Sequence, residues 1–343
     1  MSIRIEAGSV SCFAELGEAW RALEARAPSA SFFQGWTWMG CLVEERFPNP
    51  VVVRAEVDGV LVGLALFNRR RGRLYLSESG DPIMDAPFIE HNAPLIAEGA
   101  PAEVLPGMMR AAWRSGWNWG MTLSGVPPEV AAAAGGLTWR RQERVAPYVD
   151  LDAVRAAGGD YLATLSANTR QQIRRSLRAY AARGEVRLER AGSVGEALEW
   201  FEEMVRLHEE TWRARGSLGA FRDGRILNFH HNLIQRGVEL GEIHLLKGRS
   251  GSTVFGYLYN FNSNGWICSY QGGWQIPRNN SEFRPGIICH VLAIMNAINE
   301  SSRRYDFLAK ESRYKLVLSR EKLTLDWSLR VCDSVNFARR VAR

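Results

Sequence analysis

Apolar side chains recur every three to four residues along Asn168–Arg183, where Ile173, Leu177 and Tyr180 share one side. They recur again along Glu196–Arg215, through Leu198, Phe201, Val205, His208 and Trp212. That period predicts two amphipathic helices, the first capped by Ser166 or Asn168. A third helix is expected over about 225–236. The period then falls to two. Glu242–Lys247, Val254–Phe261 and Gly265–Gln271 are short, rich in aromatic and β-branched residues, and separated by turn residues, so they read as strands. A polar loop, Gly272–Arg284, leads into an apolar helix over Gly286–Glu300. A short buried strand at Tyr305–Leu308 and a closing one at Leu323–Arg330 complete the half.

The first half repeats this order more faintly. Helices are expected near Phe13–Arg26 and Gly35–Arg46, then strands near Val51–Val57, Val60–Asn68 and Arg73–Leu76. After a long insert come a helix at Ala102–Ser115, a strand at Trp117–Leu123, a short helix from Pro127 and strands near Leu137–Asp150. A duplicated α/β unit accounts for the repetition. It implies two domains, 1–150 and 160–343, joined through the Ala- and Gly-rich Asp150–Gly159.

Composition narrows the class. A chain of 343 residues exceeds what one core usually supports, ~250–300 residues, which suits two. The 46% hydrophobic and 23% charged contents are those of a soluble globular protein. No apolar run approaches the ~20 residues of a membrane-spanning helix. The N-terminus has no apolar run behind its basic residue, so the expectation is a cytoplasmic protein without a signal peptide. Five scattered cysteines without a CxxC pair argue against disulfides or zinc. His230 and His231 would point about 100° apart on a helix, so no metal is expected. The net charge of +6 is uneven: residues 1–150 carry 14 basic and 17 acidic side chains, leaving 29 and 20 for the rest. The basic half, at +9, is the one expected to meet a polyanion.

Several short motifs of the second half resemble a known family. They are Ser166-x-Asn168-Thr169-Arg170-x-x-Ile173-Arg174-Arg175, then Leu207-His208-x-x-x-Trp212-x-x-x-Gly216 followed by Phe221. Ser269-Tyr270 precedes Arg284-Pro285-Gly286, and Tyr305-Asp306-Phe307-Leu308 precedes Tyr314-Lys315. In this order they resemble the GNAT-type acetyltransferases of cellulose and exopolysaccharide biosynthesis. The doubled arrangement resembles Fem-type aminoacyltransferases. The resemblance implies an α/β (α+β) fold of tandem GNAT-like domains, each a mixed, mostly antiparallel sheet flanked by helices, the first of them degenerate. One departure stands out: the turn before the apolar helix, FRPGII from Phe283, has a single glycine where that superfamily usually has two.

The candidate residues follow. A helix N-terminus attracts a pyrophosphate through free amides and its dipole. Arg284, Pro285, Gly286 and Ile287 are therefore candidates for binding the cofactor. Pro285 suits the first helical position, and Gly286 would let a ligand approach the backbone. Arg170, Arg174 and Arg178 repeat every four residues, with Arg175 beside them. They form either a solvated face or further phosphate contacts. His208, on an apolar stripe, is either a core residue or a base with a pKa near working pH. Asp306, in an apolar strand, is either the general base or the anchor of Lys315 or of a backbone turn. Tyr314 falls where many GNAT enzymes keep a tyrosine that protonates the leaving thiolate, or else it is core. Trp212, Phe221, Tyr270, Gln271 and Trp274 could line an acceptor cleft with Lys315. Glu209 and Glu210 are weaker candidates. In the first half one long loop holds Asp81, Asp85, Glu90 and His91, and is a candidate lid.

The expected function is transfer of an acetyl or longer acyl group from acyl-CoA to an amine, on an amino sugar or a related polysaccharide or lipid precursor. The expected partners are acyl-CoA and a small-molecule or glycan acceptor, without DNA or metal. Two other readings stand beside it: aminoacyl transfer from charged tRNA, and a non-catalytic protein that binds nucleotide or RNA.

Overall fold

The computed structural model describes residues 1–85, 89–276, 282–310 and 312–332. Part of the long insert and of the polar loop before Arg284 lies outside these residues. The chain forms two compact units: Met1–Arg144 with the segment from Thr324, and Val145–Leu323. The division thus falls before the Ala/Gly-rich stretch, and the last strand groups with the first unit.

The first unit contains strands β1 (Ile3–Gly8), β2 (Pro50–Val57), β3 (Val60–Arg70), β4 (Arg73–Leu76), β5 (Leu95–Ile96) and β6 (Gly120–Val126). Its helices are α1 (Phe13–Glu24), α2 (Trp36–Arg46), α3 (Val104–Arg114) and α4 (Pro128–Ala133). Strand β7 (Leu137–Asp150) carries the chain into the second unit. There follow α5 (Leu151–Ala156), α6 (Tyr161–Thr164), α7 (Ala167–Ala181), β8 (Val186–Arg190), α8 (Val194–Ala214) and α9 (Gly224–Gly237). After them come β9 (Ile243–Ser250), β10 (Thr253–Ser263), β11 (Trp266–Trp274), α10 (Pro285–Asn299), β12 (Arg304–Asp306) and α11 (Arg313–Leu318). Strand β13 (Glu321–Val331) returns to the first unit.

The strand order of the first unit is β1-β2-β3-β4-β6-β13, and that of the second is β7-β12-β11-β10-β9-β8. In each, one described pair is parallel: β4 with β6, and β11 with β12. Parallel neighbours need a long crossover, and a helix supplies it in both cases, α3 in the first unit and α10 in the second. This is the repetition seen along the chain, now as topology. The two-residue β5 is an addition to the expected list, and so are β1 and β8. Both are edge strands in which apolar residues alternate with charged ones, as in Ile3-Arg4-Ile5-Glu6 and Val186-Arg187-Leu188-Glu189. Two or three alternations are too few to stand out as a period.

Helix α10 is the centre of the second core. Pro285 starts it at a position whose N–H would have no partner anyway. Ile288, Cys289, Val291 and Ile294 are fully buried in it, packed with Ile173 and Tyr180 of α7 and with Phe255 and Leu258 of β10. Each such side chain contributes about 1.5–3 kcal/mol on leaving water. The helix is therefore pinned along its length, which fixes where its first turn lies.

Candidate functional site

Strands β11 and β12 pair only over Trp266↔Arg304, Ile267↔Tyr305 and Cys268↔Asp306. Beyond Cys268, β11 runs on for six residues to Trp274 while β12 has ended. Where they part, β11 also bulges against β10: Tyr259 pairs with Gln271 and Asn260 with Ser269, leaving Tyr270 as the extra residue. A bulge bends its strand and releases backbone groups from the ladder. The carboxyl end of a parallel pair, with a helix start nearby, is a common place for a ligand in α/β sheets.

The start of α10 is spaced from the strands by one indole. A Cβ on Gly256 of β10 would lie 2.7 Å from the Trp274 ring, one on Gly272 of β11 2.5 Å, and one on Gly286 of α10 3.2 Å. Three glycines from three elements thus make room for Trp274. This corrects the role expected of Gly286: its bare face is covered by tryptophan, and its contribution to a ligand is limited to its amide. Gly286 and Ile287 carry first-turn amides, which have no acceptor inside their own helix. Arg284 precedes them. Its amide bonds to Ser176 Oγ at 3.2 Å and its guanidinium to Gln172 Oε1 at 2.7 Å, which ties the start of α10 to α7.

A cleft of about 320 Å³ opens here, lined from α7 by Asn168, Thr169, Gln172 and Ile173, from α10 by Arg284 and Ile287, and from α11 by Arg313, Tyr314 and Val317. Among the described residues, two arginines and no acid face it. The geometry therefore brings together Arg284, Ile287 and Tyr314 of the expected set. It leaves out Arg170 and Arg174, which is a correction. Residues 169, 173, 176 and 180 form the inward stripe of α7, and the arginine row lies on another face. Arg170 donates to the carbonyls of Ala163 and Leu165, Arg174 is exposed, and Arg175 pairs with Glu282. Asn168, Thr169 and Gln172 were missed as contacts, although their spacing against Ile173 was the available signal.

Tyr314 lies flat on His290, ring centroids 5.3 Å apart and planes 17° from parallel. The residue is 38% exposed and lines the cleft; desolvation pushes its pKa up to about 12 against the opposing effect of a hydrogen bond with Ser312. His290 Nδ1 is 3.0 Å from the Tyr305 hydroxyl, which is also hydrogen-bonded with Ser269 and Asn260. Burial, helped by Lys315, lowers His290 to about 3, so the imidazole is neutral. His290 was missed: inside so apolar a helix nothing marks it.

Other expected residues hold structure together. His208 is 5% exposed, with Nδ1 3.2 Å from the Gly272 carbonyl and Nε2 accepting the Ala220 amide at 3.3 Å. Both ring nitrogens are engaged, and burial lowers its pKa, so it serves as a tie between α8, β11 and the following loop. Glu209 accepts the Phe221 amide, and Glu210 pairs with Arg206 on the surface. Phe221 is core: 2% exposed, between Phe201, His208 and His230. Tyr270 is 5% exposed and packs on Phe261 and His230. Trp212 and Gln271 keep part of their surface open, Trp212 under Arg215. Asp306 is wholly buried and accepts the Leu308 amide at 2.7 Å. Lys315 donates to the Leu308 and Ala309 carbonyls at 2.9 Å each. Together they hold a loop in which Leu308 and Lys310 adopt left-handed φ of 61° and 74°. The turn-anchoring reading of Asp306 is the one the geometry favours.

In the first unit, Asp85 accepts Ser79 N, Ser79 Oγ and Gly80 N, while Asp81 pairs with Arg70. His91 has a left-handed φ of 49° and, like Glu90, is buried. These residues brace the insert from within. Glu78, not singled out from the sequence, accepts from Ser124 Oγ at 2.7 Å; burial and then Asp85 push its pKa up to about 8. Among the described residues no group of three or more His, Cys, Asp or Glu could hold a metal, and no helix is long and apolar enough to cross a membrane.

No curated protein matches the sequence. Among solved structures, FemX superposes with a TM-score of 0.63 at 12% identity, covering 94% of this chain and 96% of that one. The C-terminal domain of a putative lysylphosphatidylglycerol synthetase from Agrobacterium fabrum gives 0.55 at 14%, covering 96% and 95%. L-PGS from Bacillus licheniformis gives 0.56 at 12%, covering 94% of each. At these identities the likeness is one of fold. Residues 167–316, 150 of the 343, match the family model described as an acetyltransferase (GNAT) domain, a span that holds every residue lining the cleft except Val317.

Proposed function

We propose that the protein is an N-acyltransferase that moves an acetyl or longer acyl group from acyl-CoA to an amine. One observation carries the reading: the first turn of α10, flanked by Arg284 and Arg313, opens onto a cleft that no acid lines among the described residues. First-turn amides and guanidinium groups are the donors that a pyrophosphate needs. Arg284, Arg313, Asn168, Thr169 and Gln172 would hold the phosphates, and Ile173, Ile287 and Val317 the apolar parts of the donor. In the transfer the amine nitrogen bonds to the thioester carbon, the C–S bond breaks, and the thiolate takes a proton, here assigned to the Tyr314 hydroxyl. Backbone groups released by the bulge at Tyr270 suit the developing oxyanion. With His208 and Asp306 engaged in structure, the amine is read as entering neutral; its nitrogen loses one proton to solvent as the amide forms, and solvent returns one to Tyr314. The acceptor class is an amino sugar, free, nucleotide-linked or lipid-linked, of the kind used in exopolysaccharide formation.

Isothermal titration with acetyl-CoA and longer acyl-CoAs tests the donor, and thiol release over a panel of amino sugars tests the acceptor. Saturable binding with turnover is expected; absence of binding to every acyl-CoA overturns the reading. A second reading, aminoacyl transfer from charged tRNA, is favoured by the full-length likeness to FemX and to L-PGS. It predicts transfer from aminoacyl-tRNA that weakens steeply with salt.

A further inference from the structure

The opposite end of α10 has its own cavity, of about 230 Å³. It lies between the last turns of the helix, at Ala293, Asn296 and Ala297, and the sheet at Leu188, His244 and Asn260. Its residues on α10, Ala293, Asn296 and Ala297, are centred about ten positions beyond Arg284 and Ile287, so at 1.5 Å per residue this cavity is about 15 Å from the donor cleft. Half of its wall is apolar: Leu246, Ile267, Ala293 and Ala297 belong to the main cluster and Leu188 packs against it, while Arg190, His244, Asn260, Asn296 and Glu300 form the polar half.

Two polar side chains sit directly opposite each other in it, since His244 and Asn260 are register partners across β9 and β10. His244 is 6% exposed. One ring nitrogen is hydrogen-bonded to the backbone of Gly241, and the other has no partner among the described residues. Asn260 is 1% exposed; its side chain bonds with Tyr305, and its Oδ1 has no partner among the described residues. An imidazole that donates one N–H to a carbonyl presents a lone pair on its other nitrogen. The charged groups here are Arg190 and Glu300, paired with each other at the mouth. Burial, and next Arg190, lower His244 to about 4, so the interior has no net charge near neutrality.

We propose that this cavity is a second binding site of the unit, taking a compact, uncharged molecule with one apolar face and one N–H or O–H donor directed to His244. Size, wall and polarity each restrict the class. A cavity of ~150 Å³ accommodates a benzene ring, so about 230 Å³ suits one or two fused rings or an aliphatic of similar bulk. A charged ligand would lose its hydration against the leucine, isoleucine and alanine side, while Arg190 and Glu300 neutralise each other at the mouth and leave it no free counterion. This site does not depend on the identity of the acyl donor.

Indole and benzofuran differ in the donor while sharing shape, so they are the probes. Calorimetric titration of the full chain is expected to give saturable indole binding, with benzofuran at least tenfold weaker. His244→Leu should remove that preference. Ala297→Leu, which fills the cavity from the helix side, should abolish binding of both. Saturating acetyl-CoA should not displace indole, whether or not acetyl-CoA itself binds. The proposal is overturned if neither probe saturates, if the wild-type protein binds both equally, if Ala297→Leu binds indole unchanged, or if acetyl-CoA competes.

Discussion

Tyr314 rests face to face on His290, and His290 is in turn fixed by the Tyr305 hydroxyl at 3.0 Å. The phenol that faces the cleft is thus positioned by a buried hydrogen-bond chain through Tyr305, Ser269 and Asn260. Tyr314→Phe should lower kcat by about 10²-fold, the low end for a lost proton donor, and leave the Kd for acyl-CoA within about twofold. Equal loss in both would mean that Tyr314 is only a wall. The measurement is steady-state turnover beside calorimetric binding.

Arg284 is the expected phosphate contact, and its guanidinium also braces Gln172. Arg284→Ala should weaken acyl-CoA binding by about tenfold, ~1.4 kcal/mol. Arg174→Ala should have no effect, because Arg174 lies outside the cleft. Comparable losses in the two variants would return the arginine row of α7 to the site.

His208→Leu should destabilise the fold by about 2 kcal/mol, since it leaves the Gly272 carbonyl and the Ala220 amide without their partner. Urea unfolding reads this directly. Full stability with lost turnover would instead restore His208 as a base.

Acid should weaken the second unit in a defined window. His244 and His290 fall from an ordinary value of 6.5 to about 4 and about 3 in the folded protein. The unfolded chain therefore binds more protons below pH 6.5, and the stability these groups contribute above it is lost as pH falls toward 4 and then 3. Each adds a slope of up to ~1.4 kcal/mol per pH unit. His244→Gln should flatten the upper part of the curve in urea melts run from pH 7 to pH 4.

Glu78 acts in the opposite sense. Its carboxyl rises from 4.5 to about 8, so folded protein holds a proton that unfolded chain has released. Stability tied to this group is complete below pH 4.5 and declines as pH rises through 8. Glu78→Gln should remove that decline between pH 6 and pH 9, seen as a smaller drop in Tm. An unchanged drop would mean that the carboxyl is ionised in the fold.

The chain announced its order of elements clearly. The third strand, apolar helix and short strand that become β11, α10 and β12 are plain from period and turn residues alone. Arg284, Ile287 and Tyr314 follow from that order, because a helix start and the segment after the crossover strand must both lie near the carboxyl end of β11. Individual roles were harder to read. Arginines spaced by four announce a face but not its direction, which Ile173 and Tyr180 decide. Phe221 and Tyr270 have the chemistry of stacking platforms and the burial of core. Asp306 looks like a base in sequence, whereas its use emerges only with the left-handed turn at Leu308. The grouping of β13 with the first unit is a long-range pairing, with Leu329 opposite Thr122, that no local window contains.

Trp274 and its three glycines have a mechanical consequence. The indole is a shim: one flat, rigid plate of fixed thickness between the strands and the first turn of α10. A thinner residue at 274 would let that turn sink toward the sheet, and a Cβ at Gly272 or Gly256 would jack it outward. The gap between Arg284 and Arg313 is therefore adjustable by exchanging a residue that touches neither arginine.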